Sequence, residues 1–115
     1  MIFGAHVVVY SQDEAADRAF FRDVLGFASV DAGHGWLIFA LPPAELGVHP
    51  AEAPSCEVSL MCDDLDATIA ELRGKGVEFM GDSAEEAFGR WIRMRLPGGV
   101  EVPLYEPKHT LAIDV

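Results

Sequence analysis

At 115 residues, half of them hydrophobic, the chain is sized for one domain with a real core and is too apolar to stay disordered. Its formal net charge is −11, and its eight Lys and Arg residues are scattered. That excludes the clustered basic surface that nucleic acid or an anionic membrane requires.

In chain order, His6-Val7-Val8-Val9-Tyr10 is a β-branched run and reads as a strand. Residues Met1 to His6 carry no basic region or apolar core of a signal peptide, and no apolar run nears the roughly 20 residues that cross a bilayer. A cytoplasmic protein is the expectation. Ser11, Gln12 and Asp13 read as a helix cap, and Glu14 to Leu25 as a helix with Ala16, Phe20 and Val24 along one stripe. Gly26 ends it. Phe27 to Val30 is expected as a strand, Ala32 to Gly35 as a turn, and Trp36 to Ala40 as a second strand. Pro42 and Pro43 break the pattern, Leu46 to His49 is a last short strand, and Pro50 to Pro54 is a loop.

The same order then returns. Glu57 to Cys62 reads as a strand in which Val58 and Leu60 alternate with Glu57, Ser59 and Met61. Asp63 or Asp64 caps a helix from Asp64 to Arg73 whose stripe is Leu65, Ile69 and Leu72, and Gly74 or Gly76 stops it. Val77 to Met80 is a strand, Gly81 to Ala87 a polar loop, and Trp91 to Leu96 an alternating strand. Pro97-Gly98-Gly99 is a tight turn before a closing strand from Val100 to Tyr105, and the residues after Pro107 read as a tail. Cys56 and Cys62 on one strand stand roughly 20 Å apart, beyond disulfide reach. Both are expected to be reduced, small and partly buried.

Laid together, His6 matches Glu57, Asp13 matches Asp64, Ala16 matches Ala67, Phe21 matches Leu72 and Gly26 matches Gly76. Each half is strand-helix-strand-strand-strand, and such a duplication gives two units related by a pseudo-twofold. The expected architecture is α+β: two tandem βαβββ modules forming a cupped, barrel-like sheet around a shared cavity, helices outside. Module one spans about residues 3–50, module two about 55–107, and the tail 108–115 of a single domain.

These residues resemble the vicinal oxygen chelate superfamily, which includes glyoxalase I, extradiol dioxygenases and the bleomycin- and fosfomycin-resistance proteins. The resemblance rests on His6-Val7-Val8-Val9 followed by Asp13, on Phe20-Phe21 with Leu25-Gly26-Phe27, and on Glu57-Val58-Ser59-Leu60 followed by Asp63 to Ala67. Leu72 with Gly76-Val77, Leu96-Pro97-Gly98-Gly99 and Leu104-Tyr105-Glu106-Pro107 extend it to about Pro107. It implies a small glyoxalase-like domain and a homodimer, because such cavities are often closed at a subunit interface.

The resemblance also implies a site. Metal-dependent members take a ligand from the first and the last strand of each module, which here points to His6, His49 and Glu57. Glu45 is a further donor in module one. The last expected carboxylate position falls on Pro103, which cannot ligate, and Glu101 lies two residues earlier on the same side of the strand. The set His6, His49, Glu57 and Glu101 would suit zinc, nickel, manganese or iron(II). In such an enzyme the metal acts as a Lewis acid on a vicinal-oxygen substrate, in a lyase, isomerase or dioxygenase reaction, and Glu57 or Glu101 doubles as general base. Tyr10, Phe88, Trp91 and Tyr105 are the aromatic residues expected to line a pocket, with Phe88 and Trp91 flanking the loop that closes over it. The rival expectation is a metal-free binding protein of the bleomycin-resistance type, whose acidic rim attracts a cationic ligand.

Overall fold

A computed structural model describes Phe3 and residues 6–114 of the chain; Val115 of the tail and positions 4 and 5 of module one lie outside the described residues. The fold is α+β with two open sheets, not closed into a barrel.

Module two keeps the expected element order, although of the strand expected from Glu57 to Cys62 only Leu60–Met61 forms a ladder. Strand β3 (Leu60–Met61) leads into helix α2 (Leu65–Gly74), followed by β4 (Glu78–Glu86), β5 (Gly89–Arg95) and β6 (Glu101–Pro107). The sheet order is β3-β6-β5-β4, with β3 parallel to β6 and the other neighbours antiparallel. Asp64 caps α2, its carboxylate accepting the Ala67 N–H at 3.0 Å. A second carboxylate reaches the same helix end from the sheet: Glu106 on β6 accepts the Leu65 N–H at 2.8 Å. Gly76, at φ +85°, turns the chain out of the helix. The stripe Leu65, Ile69 and Leu72 is buried against Ile92, Met94, Leu96, Val102 and Leu104 of the sheet. Each such side chain contributes roughly 1.5–3 kcal/mol when removed from water.

Module one is built differently from its repeat partner. Asp13 caps α1 (Glu14–Ala19), accepting the Ala16 N–H at 3.1 Å, and the helix then widens into one π-helical turn over Phe20–Val24. Phe20 enters the shared core, while Phe21 stacks 6.1 Å from Phe27 and 5.7 Å from Phe39. That aromatic cluster holds the hairpin of β1 (Ser29–Asp31) and β2 (Leu37–Phe39) against the helix. The expected strands at His6–Tyr10 and Leu46–His49 form no ladder. β-Propensity needs a neighbouring strand to become a strand, and among the described residues neither run has one. Most of their apolar residues are left outside, Leu46 at 91% and Val48 at 94% exposure, while Val9 packs against the core.

Beside the apolar contact of Phe20, a buried polar contact joins the modules. Asp17 of α1 is buried and accepts the Gly98 N–H at 2.7 Å, and Gly98 in turn accepts from the Gln12 N–H at 3.2 Å. A Cβ at position 98 would run into Ser11 Oγ and the Asp17 carboxylate. Glycine is required there by space.

Other expectations are corrected. The polar loop expected at Gly81 to Ala87 is instead the outer part of β4, with a bulge between Met80 and Ala84 that begins at Gly81, φ +70°. A bulge absorbs extra residues without ending the ladder, and an edge strand tolerates polar side chains. The tail is tied down: the Lys108 N–H donates to the Phe88 carbonyl at 2.9 Å, the Lys108 amine pairs with Glu85, and Glu45 of module one accepts the Ala112 N–H at 2.7 Å. Cys56 is exposed rather than partly buried.

Candidate functional site

The sheet of module two has two faces. Ile92, Met94, Val102 and Leu104 point toward α2; the alternate residues Trp91, Arg93, Arg95, Glu101, Pro103 and Tyr105 point away from it. Strand register arranges this second face in rows. Met61, Tyr105, Trp91 and Ala84 lie side by side across the four strands. In the next row Pro103 faces Arg93, which faces Met80, and in the third Glu101 faces Arg95, which faces Glu78. The face therefore grades from aromatic to charged along the strands.

Three of the four expected pocket aromatics gather at the aromatic end. Trp91 pairs with Tyr105 across the ladder, and the Tyr105 and Phe88 rings are 5.8 Å apart. The Tyr105 hydroxyl donates to the Phe88 carbonyl at 3.4 Å, and burial, followed by the charge on Glu45, pushes that hydroxyl above its ordinary value. The phenol thus stays protonated. His109 of the tail, given no role by the sequence, lies 5.8 Å from Tyr105 and 3.7 Å from Glu45. Tyr10 is 87% exposed and has no ring contact with this group.

The charged end is occupied by arginines. Arg93, paired across the ladder with the buried Pro103 of β6, lies 3.5 Å from Glu57. The Arg93 guanidinium is also 5.5 Å from the Trp91 ring centre, within cation–π range. Arg95 lies between Glu78 at 3.8 Å and Glu101 at 3.9 Å. Two donors on this face, Trp91 Nε1 and Arg95 Nε, are shut from water with no acceptor among the described residues. An unsatisfied buried donor costs about 1–3 kcal/mol.

The residues expected to ligate metal are dispersed among these partners. His6 and His49 are exposed, and the His49 Nδ1 contacts the Pro50 carbonyl at 2.7 Å. Glu57 faces Arg93 and Glu101 faces Arg95. Among the described residues, no three His, Cys, Asp or Glu side chains come close enough to hold one ion. A divalent metal needs three or more donors aimed at one point, each free of a competing cation. In the single chain this set does not fit one. Arg93 and Arg95 themselves were missed as site residues. Their signal was present in the alternation of Trp91, Arg93 and Arg95 against Ile92, Met94 and Leu96, which puts two cations on the face turned from the helix.

With this geometry in hand, solved structures supply the comparison. TnmS3, an antibiotic binding protein from Streptomyces sp. CB03234, is 24% identical, with 90% of this chain covering 100% of that one at a TM-score of 0.60. A member of the glyoxalase/bleomycin resistance protein/dioxygenase superfamily from Sphaerobacter thermophilus DSM 20745 is 23% identical, with 91% and 98% covered and a TM-score of 0.61. The chain has the glyoxalase/bleomycin-resistance/dioxygenase fold. Lactoylglutathione lyase from Agrobacterium tumefaciens shows the same fold at 18% identity, with 88% and 90% covered and a TM-score of 0.64. No family model matches the sequence, and no curated protein does. This fold hosts both catalysts and binding proteins, so function must be argued from the face itself. Among the described residues no helix is long and apolar enough to cross a membrane.

Proposed function

We propose that the protein binds a small molecule on the Trp91–Tyr105 face without a divalent metal, as a homodimer whose second copy roofs that face. The observation that carries this reading is the Arg93–Glu57 pair, with Arg93 opposite Pro103 in the ladder. A guanidinium takes the carboxylate that a metal would need, and proline holds the strand position where a further carboxylate was expected. Glu57 and Glu101, expected both to ligate and to act as base, serve instead as counter-ions that hold Arg93 and Arg95. The likeness to a protein described as antibiotic binding supports the same direction.

The homodimer is supported by what module one leaves uncovered. Val7, Val8, Tyr10, Leu46 and Val48 are exposed on two strand-like runs that lack ladder partners. Such runs are templates for pairing with another chain. A second copy offers the same runs in return, as a self-complementary interface requires.

Metal analysis of the purified protein tests the first part, with melting measured in added nickel, zinc or manganese. No stoichiometric metal and an unchanged Tm are expected. Stoichiometric metal that is lost in both His6→Ala and Glu57→Ala would overturn the reading in favour of a metal-dependent lyase, isomerase or dioxygenase. Light scattering tests the second part: a dimer is expected for the native protein and a monomer for the double variant Leu46→Asp, Val48→Asp. A native monomer at every concentration would sink it.

A further inference from the structure

Hydrogen-bond capacity on this face is unbalanced in a way that names a class of ligand. Arginine presents a fork of N–H donors and no acceptor, and indole is a donor only. Among the described residues the Arg93 side chain makes one hydrogen bond, to Glu57, at the long limit of 3.5 Å. The Arg95 Nη atoms stand 3.8 Å and 3.9 Å from their carboxylates, too far for a made bond. A charge-assisted N–H···O bond closes to about 2.7–2.9 Å. The arginines are thus balanced in charge but not saturated in hydrogen bonding.

We propose that the ligand of this face is a planar aromatic molecule that stacks on Trp91 and Tyr105 and presents acceptor oxygens, carbonyl or carboxylate, to Arg93 and Arg95. The proposal rests on the binding reading above and gives it a chemistry. The separation of the rows suits it, because aromatic surface lies next to the guanidiniums along the strands. Glu78 and Glu101 are well exposed, with side chains 61% and 40% accessible, so a ligand oxygen displaces them toward water at little cost. The net charge of the chain points the other way, toward a cation. A cationic ligand, however, would compete with both arginines for the same carboxylates and would leave every free donor on the face unsatisfied. Local donor supply decides over the distant surface charge, which salt screens within about 8 Å at physiological ionic strength.

The test uses four probes of one shape: 2-naphthoate, 2-acetonaphthone, 2-naphthylmethylamine and naphthalene. Binding is read by quenching of Trp91 in a Trp36→Phe background, which leaves one indole, and circular dichroism confirms that each variant is folded. The expected order places naphthoate and acetonaphthone ahead of naphthalene, with the amine last. Whichever of the two oxygen probes binds more tightly identifies carboxylate or carbonyl as the acceptor. Arg93→Gln and Arg95→Gln should each weaken the oxygen probes by about tenfold or more and leave naphthalene within about twofold. Should the amine bind tightest, or the Gln variants bind the oxygen probes as the native protein does, the ligand class is wrong while the binding face stands. If no probe quenches Trp91 in the folded protein, the binding face itself fails and the ligand class falls with it.

Discussion

The two modules carry one repeat and reach two different states. In module two, all its strands are laddered and α2 buries three side chains on the sheet. In module one, only the inner hairpin ladders, and its helix sends Phe20 alone among apolar residues fully into the core. The difference lies in the outer strands. Those of module two find each other in parallel, β3 against β6, whereas the runs at His6–Tyr10 and Leu46–His49 remain open. A repeat in sequence therefore transmits element type but not pairing, which depends on what stands beside each edge.

The largest effect expected from breaking this asymmetry comes from Leu65→Ala, which empties a fully buried position of module two. It should cost about 2–5 kcal/mol in denaturant unfolding, against within about 0.5 kcal/mol for Val48→Ala on isolated monomer. Equal costs would mean that module one is as well packed as its partner. The joint between modules comes next. Gly98→Ala sets a methyl group against Ser11 and Asp17, and Asp17→Ala strips the Gly98 N–H of its acceptor. Each should destabilise by about 1–3 kcal/mol. A double variant that costs no more than either single one would show that both act through the same contact.

A smaller effect distinguishes the two cysteines. Burial first, with Asp63, Asp64 and Glu106 adding, outweighs the Thr68 hydrogen bond and pushes the Cys62 thiol above its ordinary value, while Cys56 is exposed. Disulfide-exchange reagents at pH 8 should therefore titrate one thiol quickly and the second only on unfolding. Fast reaction of both would mean that β3 opens readily. The smallest effect concerns pH. The hydrogen bond from Arg90, then its charge, holds Asp66 below its ordinary value of 3.8, so the pair stabilises the fold above that pH. Its contribution is lost as pH falls through the lowered value. Arg90→Gln should lower Tm slightly at pH 7 and by less as pH falls below 3.8, as paired melting curves can check.

Much of the scaffold could be read in advance, and the reasons are local. Asp64 with Leu65, Ile69 and Leu72 states a cap and a stripe, and Pro97-Gly98-Gly99 states a turn. Asp17 was overlooked because an acidic residue within a helix usually faces water. Its spacing of three to Phe20 and seven to Val24 nevertheless puts it on the buried side. The candidate site was half legible: the aromatics Phe88, Trp91 and Tyr105 were singled out from sequence and do meet. Glu57 and Glu101 were singled out too, but as metal ligands, since nothing local indicates that strand register sets them beside Arg93 and Arg95.

By itself the sequence determined where helices start, where turns fall and which residues of module two are buried, because capping and periodicity act between residues a few positions apart. Only the tertiary structure decided which edges pair, that a buried Asp17 joins the modules beside the apolar contact of Phe20, and which cation stands beside Glu57. Those outcomes depend on which strands become neighbours and in what register. A one-residue slip in that register would turn Arg93 and Arg95 from one face of the sheet to the other.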